Sequence, residues 1–224
     1  MLKTDRPLRI SRARLLPLLL LFISLVNWDA NFRASPRSAV AVWTAEQATA
    51  PSLTLLESGH IPMPNNMPAA HASTLVAMPR DSSYSLTAFW FAGSRESAPD
   101  VGIAASAFDR RSRSWVKAQI VVDRIDLGQR LGFGVRRLGN PVAWLDSQDN
   151  IHLFVVATGL GGWAASRILH LRQRSGAKEL GKLVFDPVRL LPLSWLWNIS
   201  FLVRAAPLPL VDKGIILPLH IELV

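Results

Sequence analysis

Short apolar runs separated by polar turns dominate the chain after residue 58. Four of them follow one another, at Ala72–Met78, Tyr84–Phe91, Val101–Phe108 and Trp115–Val122. The first two flank the polar turn Arg80-Asp81-Ser82-Ser83. Runs of this length between clusters of turn residues are typical of β-strands. The pattern predicts that these four segments form one antiparallel sheet.

The same unit recurs along the chain. Asp81, Asp146 and Asp212 each lie in a polar turn between two apolar runs, at separations of 65 and 66 residues. Each interval has room for two further strands, predicted in the second repeat at Arg167–Arg172 and Gly181–Phe185. A fixed period with one strand-turn-strand unit per repeat is typical of radial or stacked β architectures. Four strands per repeat correspond to one blade of a β-propeller.

The N-terminal segment differs from the rest. Five basic residues precede the apolar run Leu15–Val26, a pattern typical of an export signal. Twelve residues are short for a membrane span, which needs about 20. The sequence therefore predicts an exported protein, periplasmic or extracellular, with a cleaved signal peptide or an uncleaved membrane anchor over residues 1–30. Residues 31–57 are predicted to form a linker, and residues 58–224 the β domain.

Composition narrows the possible partners. Half of the residues are hydrophobic and 18% are charged, so the chain can bury a core. Of the net charge of +9, an excess of five lies in residues 1–37, and the remainder is spread without a basic stripe. This distribution argues against nucleic acid as a partner. The absence of cysteine excludes disulfides and thiolate metal sites.

Several motifs follow one another in a specific order. Gly93-Ser94-Arg95 ends the second predicted strand, Asp100 follows, and Asp109 and Trp115 bound the turn after the third. This order resembles the sialidase (neuraminidase) family, in particular its bacterial members with Asp-box (BNR) repeats. Asn140-Pro141 and Ser200–Arg204 resemble the starts of that family's next two blades. The Asp-box turn departs by one extra residue and by Ser112 where glycine is usual.

The resemblance implies an all-β, six-bladed propeller and an exo-α-sialidase-like glycoside hydrolase that removes a terminal acidic sugar from a glycan. By position, Asp100 resembles the general acid and base. Arg95 resembles a substrate-binding arginine of the family's first blade, and His71 stands at the place of another. Arg204 is a further candidate for substrate binding, since a guanidinium binds a carboxylate with two parallel hydrogen bonds. No cofactor is implied.

Two departures affect this interpretation. His71 stands where the family has the arginine of an Arg-Ile-Pro motif, and a histidine lacks the bidentate fork. The only tyrosine, Tyr84, begins a strand, whereas the family's nucleophilic tyrosine belongs to a later blade. The chain has room for about two and a half blades, so we expect a truncated, inactive propeller. The alternative is a non-catalytic exported propeller, membrane-anchored, that binds glycans or proteins.

Simpler interpretations of the same residues remain open. Arg95 could lie in a solvated turn, and Asp100 could merely end it. If Arg204 is buried it needs an acidic partner, for which Glu222 is the candidate. Trp163 could cover a sugar ring or pack on its own blade. His71, His152, His170 and His220 lack metal-ligand spacing, so each is expected to be an ordinary core or surface histidine.

Overall fold

A computed structural model of the chain describes residues 12–33, 58–174, 183–194, 198–210 and 214–221. The chain forms two compact units. One comprises Met1–Ser38 with Pro192–Asn198, and the other comprises Ala39–Leu191 with Ile199–Val224. The predicted linker after Arg33, the turn around Asp212 and the position of Glu222 lie outside the described residues.

The first unit contains helix α1, Arg12–Arg33, which includes the whole apolar run and Pro17. Most of the helix's large apolar side chains are exposed. Its buried polar residue is Asp29, whose Oδ1 accepts a hydrogen bond of 2.5 Å from the Ser194 hydroxyl. Among the described helices, none combines the length and the apolar character needed to cross a membrane.

The second unit is built mainly of antiparallel strands. Sheet 1 contains β1 (Ala69–Ala77), β2 (Tyr84–Gly93), β3 (Gly102–Asp109), β4 (Ser114–Trp115) and β5 (Gln119–Val122). The prediction of one antiparallel sheet here is confirmed. The fourth predicted strand is divided in two, β4 and β5. Between them the Val116 N–H donates to the Ala107 carbonyl at 2.9 Å, and the Val116 carbonyl accepts a hydrogen bond of 2.6 Å from the Ser106 hydroxyl.

The turn between β3 and β4 shows how the departures from the Asp-box are accommodated. Asp109 Oδ1 accepts hydrogen bonds from the backbone N–H of Ser112 (2.7 Å) and Arg111 (2.9 Å). The bond from Ser112 is the main reason that the pKa of Asp109 lies below its ordinary value. Arg113, one residue later, has a φ of 52°, so the left-handed position falls there rather than at Ser112. Trp115 then packs edge-on against Phe108.

Helix α2, Arg124–Leu131, follows sheet 1 and was not predicted from the sequence. Asp123 caps its first turn by accepting hydrogen bonds from the backbone N–H groups of Ile125 and Asp126, and Gly132 ends it with a φ of 72°. Aspartate before and glycine after a short segment are the usual helix boundaries. Arg130 donates to the Phe185 carbonyl at 2.8 Å and to the Asp186 carboxylate, which joins the helix to the following sheet.

Sheet 2 contains β6 (Arg137–Leu145), β7 (Ile151–Thr158), β8 (Arg167–Gln173) and β9 (Phe185–Leu190), with a 3₁₀ helix at Gly162–Ala165 between β7 and β8. The predicted third strand is confirmed. A fourth strand is also present, but it begins at Phe185, where the predicted segment Gly181–Phe185 ends; residues 181 and 182 lie outside the described residues. β9 contains Pro187, which has no N–H to donate within a sheet. The strand tolerates it because β9 lies at the edge of the sheet.

The last part of the unit is smaller. Strand β10 (Phe201–Val203) pairs with β13 (Leu219–Ile221), and β11 (Leu208–Pro209) pairs with β12 (Ile215–Ile216). The third predicted strand-turn-strand unit is therefore present as a short hairpin whose turn is not among the described residues.

The core lies between the two larger sheets. Side chains of β2 and β3, including Phe89 and Ile103, share one buried cluster with Leu153 and Leu169 of sheet 2. Phe89 meets Phe185 edge to face, with ring centroids 5.9 Å apart. The first strands of the two sheets also contact each other, since the Ala143 N–H donates to the Thr74 hydroxyl at 3.4 Å. The opposite face of sheet 1 packs against the segment before it, through Ile61, Met63 and Met67.

Leu153→Ala is expected to lower the free energy of unfolding by about 2–5 kcal/mol, because the side chain is 0% exposed and its loss leaves a cavity between the sheets. Leu75→Ala, the same change on a strand residue that is 59% exposed, is the matched control and should cost less than about 0.5 kcal/mol. Denaturant unfolding of the two variants measures both values. Equal destabilisation would contradict the assignment of the core.

Candidate functional site

The first strands of the two large sheets carry the same irregularity. Strand β1 has a bulge between His71 and Thr74, and β6 has one between Gly139 and Val142. Within these bulges Ala72 has a φ of 51° and Asn140 a φ of 41°. Positive φ is uncommon for residues other than glycine, and bulges redirect side chains at sheet edges and sites. Both strands are therefore bent at matching places.

One cavity lies where these bends meet the end of β10. It has a volume of about 470 Å³ and is lined by His71, Ala72, Ser73, Asn140, Pro141, Val142, Val203 and Arg204. We call it the axial cavity. Two of the residues singled out in the sequence, His71 and Arg204, thus share one lining.

The side chains of His71 and Arg204 are exposed, whereas Phe91, which contacts His71, and Val203, which precedes Arg204, are buried. The His71 ring packs against Phe91, with centroids 5.2 Å apart, which limits its orientation. Arg204 directly follows Phe201–Val203, all buried, so its backbone is held by the core. Because its side chain is exposed, Arg204 does not need the acidic partner that a buried arginine would require. The Arg204 guanidinium at one side of the cavity suits a carboxylate.

Arg95 and Asp100 lie in the connection between β2 and β3, not in the lining of the axial cavity. Both are exposed. The two Asp100 oxygens accept hydrogen bonds from the Ser94 N–H (3.1 Å) and hydroxyl (3.0 Å), which close the loop. Ala69 pairs with Gly93, so the start of β1 and this loop are at the same end of sheet 1.

Gly93 fits this loop because it has no side chain. A Cβ there would lie 2.8 Å from Val101 Cγ2 and 3.3 Å from Asp100 Oδ1. The glycine of the Gly-Ser-Arg segment thus permits the close approach that places Asp100 against Ser94.

Trp163 packs on its own sheet. A Cβ at Gly139 would lie 2.8 Å from the Trp163 ring, so the indole covers the β6 backbone at this glycine. Of the two interpretations of Trp163, the packing role is the one that the structure displays. The ring is half-buried.

Sequence reasoning missed a chain of three side chains on sheet 2. Asp146 Oδ2 lies 3.0 Å from His152 Nε2, and His152 Nδ1 lies 2.8 Å from His170 Nε2. With both rings neutral, His170 donates to His152 and His152 donates to Asp146. His152 and His170 lie on the neighbouring strands β7 and β8, both of which the sequence predicts as strands. Their spacing along the sequence does not show that the two rings meet.

This hydrogen-bonded chain of Asp146, His152 and His170 contains two groups with shifted pKa values. Burial alone raises the pKa of Asp146, but hydrogen bonds from His152 and Asn150 outweigh it and lower that pKa to about 2. Burial, followed by the charges of His152, Arg189 and Arg172, lowers the pKa of His170 to about 4. Its Nδ1 atom is buried and has no hydrogen-bond partner. Among the described residues, no group of three or more His, Asp or Glu is placed to hold a metal ion.

The axial cavity also contains residues that were not singled out as site residues. Ser73 and Asn140 supply a hydroxyl and an amide, which can contact polar groups of a ligand. The available signal was the Asn-Pro pair, noted as the start of a strand but not as part of a site. Its bulge, and hence its place in the cavity, cannot be read from residue types alone.

Comparison with known proteins gives one family. Residues 84–224 match the family model described as a BNR repeat-like domain. This range starts at β2 and includes sheet 2 and the strands after it. The curated proteins contain no match to the chain.

Gly93→Ala should loosen the loop that holds Asp100, because the new methyl group collides with Val101. We expect a loss of about 1–3 kcal/mol in the free energy of unfolding and faster hydrogen exchange of the Ser94 amide. Gly134→Ala is the control, since a Cβ there meets no atom within 4 Å. Unchanged exchange at Ser94 in the Gly93 variant would contradict this account of the loop.

His170→Gln should make stability less dependent on pH. Because the pKa of His170 is about 4 when folded and 6.5 ordinarily, its contribution is complete above pH 6.5 and is lost as the pH falls towards 4. A glutamine keeps a hydrogen bond to His152 without titrating in this range. Melting temperatures across this window measure the effect, with exposed His60→Gln as control. A parallel decline in wild type and His170→Gln would refute the prediction.

Proposed function

The chain belongs to the BNR repeat-like domain family, and on that premise we propose that it recognises the terminal acidic sugar of a glycan in the manner of a sialidase. In this proposal it forms part of an exo-α-sialidase-like glycoside hydrolase. The observation that carries the proposal is the axial cavity, where His71 and Arg204 from different parts of the chain line one space.

The chemistry of the lining supports an acidic sugar. Arg204 offers a planar fork of N–H donors for a carboxylate, and His71 adds a second positive group when protonated. Ser73 and Asn140 offer hydrogen bonds to hydroxyl groups, while Pro141 and Val142 offer apolar surface. Sugar rings present this combination of polar edges and apolar faces.

Catalysis is proposed for the neighbouring loop. Asp100 would act as general acid and base on the leaving oxygen, and Arg95 would help to hold the substrate. Their exposure and their position at the end of sheet 1 where β1 begins support this assignment. Tyr84, the only tyrosine, pairs with Asp109 at the opposite end of the sheet. A tyrosine nucleophile would have to come from another polypeptide segment.

A non-catalytic glycan-binding protein is the second candidate. The hydrogen bonds from Ser94 to both Asp100 oxygens favour it, because a carboxylate that closes a loop has a sufficient structural role. In this case the axial cavity binds the acidic sugar and no bond is cleaved.

We further propose that sheets 1 and 2 are two blades of a six-bladed propeller and that β10–β13 begin a third. The similar bulges in β1 and β6 support this repeat. Export of the protein, with or without a membrane anchor, is also a proposal. It is supported by the basic residues that precede Leu15–Val26.

Arg204→Ala should weaken binding of a sialic-acid-terminated oligosaccharide by about 10-fold or more, because a charge-assisted hydrogen bond contributes about 1.5–3 kcal/mol. In a form of the protein that includes the segment with the tyrosine nucleophile, Asp100→Asn should leave this binding largely intact and abolish release of the terminal sugar, since only proton transfer is lost. Titration calorimetry measures the binding, and assay of the free sugar measures the turnover.

Arg80→Ala is the control for charge, because Arg80 is an exposed arginine in the β1–β2 turn, away from the axial cavity. Equal affinity for the acidic oligosaccharide and for its counterpart with a neutral terminal sugar would contradict the proposed function. Turnover that survives in Asp100→Asn would remove the catalytic assignment and leave the binding function.

A further inference from the structure

A second cavity, distinct from the axial one, is surrounded by arginines. It has a volume of about 380 Å³ and is lined by Pro99, Arg124, Arg136, Arg137, Thr158, Gly159 and Gly162. These residues come from the β2–β3 loop, the start of α2, the start of β6 and the end of β7 with the loop after it. We call it the arginine cavity. Its lining contains three guanidinium groups and no carboxylate.

The charges of these arginines are not neutralised within the described part of the chain. The ion pairs formed there involve Arg130, Arg174 and His152, but none of the three arginines of this cavity. Asp100, although adjacent to Pro99, has both oxygens bonded to Ser94. Three like charges around one small space repel each other, and an anion placed between them removes that cost.

Arg124 is held in place by neutral groups. Its Nε donates a hydrogen bond to the Pro99 carbonyl, and its Nη1 donates one of 3.4 Å to the Val135 carbonyl. A guanidinium has five N–H donors, so two contacts leave others for a ligand. Because carbonyls carry no net charge, these contacts fix the group without satisfying its preference for an anion.

On the other side of the cavity, the backbone that carries Arg136 and Arg137 is held by hydrogen bonds. The Arg136 N–H donates to the Thr158 carbonyl at 2.8 Å, and Arg137 pairs with Thr158 between β6 and β7. The two arginines are therefore carried on sheet backbone rather than on a free loop. Because the backbone is already ordered, ligand binding has only the side chains left to order on this side of the cavity.

Thr158 provides an independent sign of a missing partner. The residue is 1% exposed, and its hydroxyl is buried without any hydrogen-bond partner. Buried polar groups are nearly always paired, and an unpaired one costs about 1–3 kcal/mol. An oxyanion in the adjoining cavity supplies the acceptor that this hydroxyl lacks.

From these contacts we propose that the arginine cavity binds an oxyanion carried by a saccharide, a sulfate ester or a second carboxylate. Arg137 and Asn140 of the axial cavity lie on the same strand, about 10 Å apart at the usual rise per residue. A ligand that occupies both cavities must therefore span at least this distance. The link to a glycan rests on the proposed function, whereas oxyanion binding itself does not.

The test begins with inorganic sulfate, titrated calorimetrically into the whole chain. The variant Arg136→Gln/Arg137→Gln should bind sulfate at least about 10-fold more weakly, because two charge-assisted contacts are lost. Thr158→Val, which removes the hydroxyl at nearly constant volume, should weaken it by about two- to tenfold without lowering the melting temperature. Arg80→Gln is the control and should leave sulfate binding unchanged, because Arg80 is exposed and lines neither cavity.

The second arm identifies the ligand. A sialic-acid-terminated oligosaccharide, a sulfated form of it and a form with a second carboxylate are compared. Tighter binding of one doubly acidic form, lost in the Arg136→Gln/Arg137→Gln variant, supports the proposal and identifies the acidic group. Absence of sulfate binding, sulfate binding unaffected by that variant, or equal affinities for all three saccharides would overturn it. Failure of Arg204→Ala to affect any saccharide counts only against the axial cavity.

Discussion

The face-to-face packing of sheet 1 on sheet 2 is the interaction on which the rest of the second unit depends. Phe89, Ile103, Leu153 and Leu169 are all fully buried in the cluster that the two sheets share. This packing brings β1 and β6 into contact, including the hydrogen bond from Ala143 to Thr74. Because these two strands carry the bulges, the axial cavity exists only where the sheets are held together.

A second theme is that cations on this scaffold are oriented by neutral groups. Arg124 is held by two carbonyls, and Arg204 by the buried residues before it. Arg130 and Arg174, by contrast, both meet Asp186 and have a structural role. Carbonyl partners also hold Arg110, which donates to the carbonyls of Ser82, Tyr84 and Pro79 and thereby fixes the turn between β1 and β2.

The sequence predicted the strands of sheet 1 well, because alternating apolar runs and polar turns report directly on burial and chain reversal. It placed the fourth strand of sheet 2 too early, since β9 runs through Pro187, which is tolerated at a sheet edge. It also missed α2, which lies between the boundary residues Asp123 and Gly132. Local pattern does not contain the information about which strand lies at an edge.

The candidate site was predictable only in part. The motif order drew attention to His71, Arg95, Asp100 and Arg204, yet only His71 and Arg204 line the same cavity. The meeting of His152 with His170, and of Arg124 with Arg137, depends on register and on the placement of α2. Such contacts between residues distant in the chain follow from packing, which residue types alone do not specify.

The bulge in β1 has a consequence for how repeats of this kind can change in length. An inserted residue normally shifts the pairing of the whole strand beyond it. Here the extra residue lies between two fixed pairs, His71 with Phe91 and Thr74 with Phe89, so its gain or loss is absorbed locally. A deletion within Ala72-Ser73 would regularise the strand and remove the left-handed kink that borders the cavity. Such a one-residue length change would alter the lining of the axial cavity while leaving the sheet and its neighbours in register.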